Sequence, residues 1–167
     1  MIQYSSLQTP IGELTVYAVE EGIVYITLPT SNSTEVRKWC AEKLGEDEYN
    51  EFGDWTKESL HQFKSYFRGE RQHFNFSYLL ITSSFRKKAL MAVSKIPYGE
   101  TRSYTEIAQA TGNPKAVRAT GSANANNPLP IVIPCHRVIT SSGNLGGYGG
   151  GLERKKWLLS HEQKFIF

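Results

Sequence analysis

Cys135, His136 and Arg137 stand side by side, and their types are those of a nucleophilic site. A thiolate is a strong nucleophile, and positive charge from a neighbouring His and Arg favours the ionised form. The three follow Ile131-Val132-Ile133-Pro134, an apolar run of strand-like composition. Packing alone gives no reason to seat a thiol, an imidazole and a guanidinium at the mouth of a core strand. The plain alternative is a small buried cysteine followed by a surface His-Arg pair, since free cysteine is among the most buried residue types. Consecutive side chains of an extended backbone point to opposite faces, so a direct Cys135–His136 contact is awkward and calls for a turn or a bridging water. A carboxylate would orient the imidazole. The second half offers Glu100, Glu106, Glu153 and Glu162, and Glu162 is the best placed of them.

Other residues in the same half have functional chemistry. Asn127 lies in the turn-rich stretch 124–130, where an Asn side chain can pin local backbone before the reactive segment. The glycine-dense stretch 143–151, interrupted by Leu145 and Tyr148, lets backbone N–H groups approach a ligand, or it is a flexible hairpin end. Ser103-Tyr104-Thr105-Glu106 matches a capping box, which makes Tyr104 the first residue of a helix ending near Gly112. Asn113-Pro114 then supplies an N-cap and a first-turn proline for a second helix running to about Asn124. Two short helices on a tight turn form a helix-turn-helix. The second of them carries Arg118, Ala119, Thr120, Gly121 and Ser122, and is too poor in bulky side chains to bury much. It can instead bring its backbone close to a nucleic-acid groove; a small helical hairpin packed inside the domain is the equal alternative. Tyr104 sits where free helix N–H groups favour a phosphate.

The elements that must hold these residues fall into two parts. Residues 1–80 read as a small α/β N-terminal domain, mainly structural, with a small antiparallel sheet and helices. Its strands are expected at 2–7, 13–19, 23–28 and 72–76. One helix is expected over 33–44 and a second, capped by Asp54, buries Leu60, Phe63 and Phe67 and ends at Gly69. Residues 81–167 read as a mainly helical domain: a helix over 85–96, the helix pair, and a last helix over 152–163. That last helix is expected to turn Trp157, Leu158 and Leu159 inward and the Arg154-Lys155-Lys156 cluster outward.

At 167 residues the chain can bury a sizeable core. It has no apolar run near the roughly 18 residues of a membrane span and no signal pattern at its start. We read it as an intracellular soluble protein. Its two cysteines make no disulfide framework, Cys40 is expected to be a buried structural thiol, and no spacing suggests a metal site. The net charge of +3 conceals an asymmetry: residues 1–81 hold 7 Lys/Arg against 12 Asp/Glu, and residues 82–167 hold 12 against 4. A basic half around the Cys-His-Arg segment fits nucleic acid or another polyanion, or is a solvated face.

Arg118-Ala119-Thr120-Gly121, Asn127-Pro128-Leu129-Pro130, Ile133 to Val138, Tyr148 with its glycines, and Trp157 to Glu162 occur in one order. Together they closely resemble the O6-alkylguanine-DNA alkyltransferases, or methylated-DNA–protein-cysteine methyltransferases. Specific motifs cover roughly residues 95–163. The resemblance implies a single-turnover DNA-repair protein needing no cofactor or metal. Its partner would be double-stranded DNA containing alkylated guanine, with O4-alkylthymine a second candidate substrate and no membrane involved. It would be a monomer, with cooperative binding along DNA left open. On matching positions, Cys135 would accept the alkyl group irreversibly, His136 would draw its proton through a water, Glu162 would orient the imidazole, and Asn127 would hold the turn. Arg118 would enter the base stack from the minor groove, with Ala119, Thr120, Gly121 and Ser122 along the DNA. Tyr104 would help rotate the phosphate and hydrogen-bond the flipped base. Pro130, Val138, Tyr148 and Gly149 would line the guanine pocket. Two positions depart from the family pattern: Gly149 stands where serine is common, and Thr120 where valine is usual. A non-catalytic alkyl-lesion-binding protein is the alternative, though such relatives usually lack the cysteine; a cysteine hydrolase would leave Arg118 and Tyr104 without a role.

Overall fold

Thr9 closes the first turn, its hydroxyl donating to the Gly12 carbonyl at 2.7 Å and accepting from the Ile11 N–H at 3.2 Å. This local bonding sets the register of β1 (Ile2–Thr9) against β2 (Gly12–Val19), with Thr9 opposite Gly12 and Gln3 opposite Ala18. β3 (Gly22–Thr27) pairs antiparallel with β2, and β4 (Tyr49–Glu51) pairs in parallel with β1. The order is β3-β2-β1-β4. β2 is therefore central, and its run from Leu14 to Ala18 is buried on both faces rather than alternating. The expected antiparallel strands are present, and β4 makes the sheet mixed.

The computed structural model describes residues 1–166 and resolves two compact units, Met1–Ile81 and Thr82–Phe167. In the first, α1 (Ser33–Leu44) is capped by Asn32, whose side chain accepts from the Thr34 N–H, and ends on the left-handed Gly45. Val36 and Cys40, one helical turn apart, join Ile2, Tyr17 and Val24 in a core cluster. Burial raises the Cys40 pKa, as suits an inert structural thiol. Two expectations fail here. Asp54 opens a single 3-10 turn and pairs with Lys57, so it does not cap α2 (Lys57–Phe67), whose buried face is Ser59, Gln62, Phe63 and Tyr66. Residues 72–76 form no strand: Phe74 and Phe76 turn their rings onto Phe63 and leave the backbone without a ladder partner.

The second unit holds α3 (Ser84–Val93), β5 (Arg102–Ser103), α4 (Tyr104–Ala110), α5 (Val117–Ala125), β6 (Val138–Ile139) and α6 (Leu152–Lys164). The capping box at Ser103 and Glu106 is present in both directions, at 3.0 and 2.7 Å. α5 begins later than expected. Asn113 caps a local turn, its side chain accepting from Lys115 N–H at 3.2 Å and its carbonyl from Ala116 N–H, so Pro114 lies in the turn and not in the helix. Ala89, Leu90 and Val93 of α3, Ile107 of α4, Ala123 of α5 and Leu158 of α6 are buried in this unit, where α3 packs against both α4 and α5. No helix among the described residues is long and apolar enough to cross a membrane.

Candidate active site

The apolar run before Cys135 is not a strand. Pro128, Pro130 and Pro134 carry no N–H to donate to a ladder, and Ile131 adopts φ 72°. A β-branched residue in the left-handed region is strained, on the order of 1–3 kcal/mol, and persists only where its surroundings impose it. Asn127 imposes it from both ends: Nδ2 donates to the Ile133 carbonyl at 2.9 Å, and Oδ1 accepts from Leu129 N–H at 3.0 Å. Cys135–Arg137 then form one 3-10 turn ahead of β6. This turn relieves the opposite-face problem of two consecutive side chains.

Cys135, His136, Arg137 and Glu162 are all buried. The Glu162 carboxylate faces His136 Nε2 at 2.8 Å and takes a two-pronged contact from Arg137, Nε at 2.7 Å and Nη2 at 2.9 Å. Arg137 Nη1 donates to the Ile96 carbonyl at 2.8 Å, which ties the site to the turn that follows α3. Burial alone would raise the Glu162 pKa, but His136 and Arg137 outweigh it and hold the carboxyl well below the carboxylate range. An ionised Glu162 can only accept, so Nε2 carries the imidazole proton and Nδ1 is the basic nitrogen. Nδ1 is buried with no hydrogen-bond partner. Burial pushes the His136 pKa down against the pull of Glu162, so the ring is neutral and able to take a proton.

Burial also pushes the Cys135 thiol up, and the groups that oppose it are Asn127, Lys155 and the N–H groups of Cys135 and His136. The cation that favours the thiolate is thus Lys155, not His136 or Arg137: the imidazole is neutral and the guanidinium is spent on Glu162. Lys155 does not point outward as its sequence neighbours suggested. It is fully buried, and Nζ donates to the carbonyls of Val138 at 2.7 Å, Gly147 at 3.2 Å and Leu145. Burial pulls its pKa down to about 8, so this charge is lost as pH rises past that value. Lys155, Leu158 and Glu162 recur at helical spacing on one face of α6, a signal the sequence contained. Lys155→Met should lower stability by about 1–3 kcal/mol through orphaned carbonyls and slow reaction of Cys135 with alkylating reagents at pH 7. Thermal melts and thiol titration check this; an unshifted thiol pKa would refute the electrostatic role.

The remaining candidates divide by exposure. Arg118, Ala119 and Ser122 lie on the open face of α5, and Gly121 beside them is bare, with nothing within 4 Å of where a Cβ would sit. Thr120 is a correction: it is 1% exposed and packs inward with Ala123 and Asn124, so its side chain is not offered to an outside partner. Tyr104 opens α4, half-buried. Pro130 and Val138 are buried, and the Val138 carbonyl is committed to Lys155. Tyr148 brings a buried phenol oxygen without a hydrogen-bond partner, its pKa raised by burial and by the nearby Cys135. At Gly149 an added Cβ would meet only the Ala125 carbonyl at 3.7 Å, so the serine common in the family pattern has room. Among the described residues no group of three or more His, Cys, Asp or Glu is placed to hold a metal.

A family model described as the 6-O-methylguanine DNA methyltransferase DNA-binding domain matches residues 84–164. The model of that family's ribonuclease-like domain matches residues 2–79. The chain is 38% identical to the methylated-DNA–protein-cysteine methyltransferase of Mycolicibacterium paratuberculosis, with 98% of this chain and 94% of the relative covered. It is 39% identical to the constitutive methylated-DNA–protein-cysteine methyltransferase of Bacillus subtilis, with 98% and 96% covered. The crystal structure of Mycobacterium tuberculosis OGT in complex with DNA superposes with a TM-score of 0.86 at 36% identity, covering 98% of this chain and 94% of that one.

Proposed function

This chain belongs to the 6-O-methylguanine DNA methyltransferase family, and from that premise we propose how its own residues carry the reaction. It acts on alkylated double-stranded DNA and moves the alkyl group from O6 of guanine to a cysteine of the protein itself, once per molecule. Cys135 is the acceptor. The observation that carries this assignment is the buried, unpartnered Nδ1 of His136, on a neutral ring fixed through Nε2 by Glu162, one residue from the thiol.

The thiol proton passes through a water to His136 Nδ1. The thiolate attacks the alkyl carbon; the new S–C bond forms as the C–O6 bond breaks, and the electron pair leaves with guanine. A proton delivered to the base leaves it as ordinary guanine, so the reaction needs no oxidant, reductant, metal or cofactor. Lys155 steadies the thiolate, and a hydrogen bond from Tyr104 to the base assists its departure. Pro130, Val138, Tyr148 and Gly149 surround the base.

The alkylated atom is out of reach inside stacked DNA, so the nucleotide is flipped out. α4 and α5 act as a helix-turn-helix on the minor-groove side, with Arg118 filling the space the nucleotide leaves. The protein works in the cytoplasm, with access to the chromosome. Intact-mass spectrometry after incubation with a duplex bearing O6-methylguanine should show a gain of one methyl group, mapped to Cys135. Tight binding without that gain would favour a lesion-binding protein instead. Arg118→Ala should slow transfer from the duplex about tenfold or more, since extrusion costs a few kcal/mol, and leave reaction with free alkylguanine unchanged. Equal slowing on both substrates would remove Arg118 from the flipping step.

A further inference from the structure

The Phe52 ring is 72% exposed, and the backbone that carries it has φ 61°. The left-handed region is costly for a bulky residue and open to glycine. The surroundings of Phe52 impose it. Phe52 N–H donates to the Tyr4 carbonyl at 2.8 Å, and Trp55 N–H donates to Gln3 Oε1 at 2.9 Å. Between them Gly53 passes so close to the Gln3 side chain that a Cβ there would overlap it. The fold therefore needs the turn at residue 52 and not the ring. The same segment is acidic and follows β4, the outer strand of the sheet. Glu46 and Asp54 are paired, with the amino terminus and with Lys57, whereas Glu48 and Glu51 are exposed with no ion-pair partner among the described residues.

The second unit carries a recess of complementary character. α3 and α4 leave an open groove of about 660 Å³, lined by the apolar side chains of Met91, Ile96 and Ile107 and by the cations Lys88, Lys95 and Arg102. Met91 is 40% exposed on a helix whose other apolar residues Ala89, Leu90 and Val93 are buried. Lys88 and Lys95 are exposed and have no ion-pair partner among the described residues. The carboxylate in the groove, Glu106, already accepts from the Ser103 N–H at 2.7 Å. Unsatisfied charge at this groove is thus positive, and the catalytic residues are not part of its lining.

We propose that this groove is the docking site for Phe52 of a second copy of the chain, with Glu48 and Glu51 of that copy facing Lys88 and Lys95. The charge asymmetry has the sign this contact needs: residues 1–81 hold 7 Lys/Arg against 12 Asp/Glu, and residues 82–167 hold 12 against 4. An aromatic anchor in an apolar pocket carries most of the energy of such a contact, while charges at its rim set approach and salt dependence. The apolar lining selects a ring; a phosphate backbone would engage the lysines alone. The two surfaces differ, so every copy offers one knob and one groove.

Sedimentation velocity of the full chain without DNA, over about a hundredfold range of concentration, should show reversible self-association that weakens as salt is raised. Phe52→Gly should weaken it about tenfold or more and leave the melting temperature equal or higher, because the left-handed site suits glycine. Met91→Glu should weaken it as much, and its exposed position lets the variant fold. Mixed together, the two variants should associate where neither does alone, since Met91→Glu keeps the knob and Phe52→Gly keeps the groove. Both should transfer the methyl group from an O6-methylguanine duplex at the wild-type single-turnover rate. The association is read without DNA, so it stands or falls separately from the proposed reaction. A wild type that stays monomeric throughout, a mixture that does not associate, or full association by Phe52→Gly would overturn the proposal. Loss of duplex affinity in Met91→Glu with self-association intact would assign the groove to DNA, and would overturn it as well.

Discussion

Cys135→Ser should give no detectable alkyl transfer while binding the same O6-methylguanine duplex with near wild-type affinity. The reason lies in what the site can ionise. Burial raises the thiol pKa, Lys155, Asn127 and two backbone N–H groups oppose that rise in part, and a neutral His136 stands ready to take the proton. An alcohol ionises far less readily than a thiol, so the same proton transfer is harder by roughly 10 kcal/mol. That corresponds to about 10⁷-fold in rate. Arg118, Ala119 and Ser122 stand on the open face of α5 and do not depend on the sulfur, so binding persists. Cys40 offers no substitute, being fully buried in the other unit with its pKa raised. Intact mass and fluorescence anisotropy on one preparation check both halves. A methyl gain in the serine variant, or one mapped to Cys40, would remove Cys135 from its role.

Where local chemistry dictated structure, the sequence was legible. The Ser103–Glu106 capping box fixes the start of α4, and the apolar spacing of residues 33–44 coincides with α1. Long-range or competing bonds hid the rest. β4 is three residues without alternation and exists because Glu48 to Glu51 lie against β1. The turn at Asn113 wins over the helix start that Asn-Pro suggests, because the Asn side chain bonds Lys115 N–H first. Ile131 to Pro134 has strand composition, but its prolines and a left-handed Ile131 make a strained turn that only Asn127 explains. In the site, the chemical types of Cys135, His136 and Glu162 pointed to a nucleophile, base and orienter. Lys155 was hidden by its basic neighbours Arg154 and Lys156, which hydropathy reads as one solvated cluster. Helical geometry separates them: Lys155 shares the inward face with Leu158 and Glu162.

Glu162→Gln should damage both stability and rate, and its pH signature separates the two. The carboxylate accepts from His136 and twice from Arg137 in a buried setting. A glutamine presents one acceptor and one donor to the same set, so Arg137 loses its counter-charge and one donor faces another. Breaking a buried pair from one side costs about 3–5 kcal/mol. Transfer should fall on the order of 10²–10⁴-fold, because a neutral amide no longer holds the imidazole proton on Nε2 as the carboxylate does. In the wild type, Glu162 is held below its unfolded pKa, so its contribution is present above about 4.5 and is lost as pH falls through the folded value. His136 is likewise depressed: the folded state favours its neutral form, and that contribution is lost as pH falls below about 6.5. Wild-type stability should therefore decline from pH 7 toward acid in both ranges, and the variant should lack the carboxylate part. The rate carries the sharper sign. Protonated His136 cannot accept the thiol proton, so transfer has an acid limb below about 6.5. Glu162 raises the His136 pKa, and removing its charge while Arg137 and Lys155 persist should move that limb to lower pH even as the plateau drops. Single-turnover rates from pH 5 to 8 with urea melts at each pH resolve both effects. An acid limb that stays in place or moves upward would mean that Glu162 holds the fold without tuning the base.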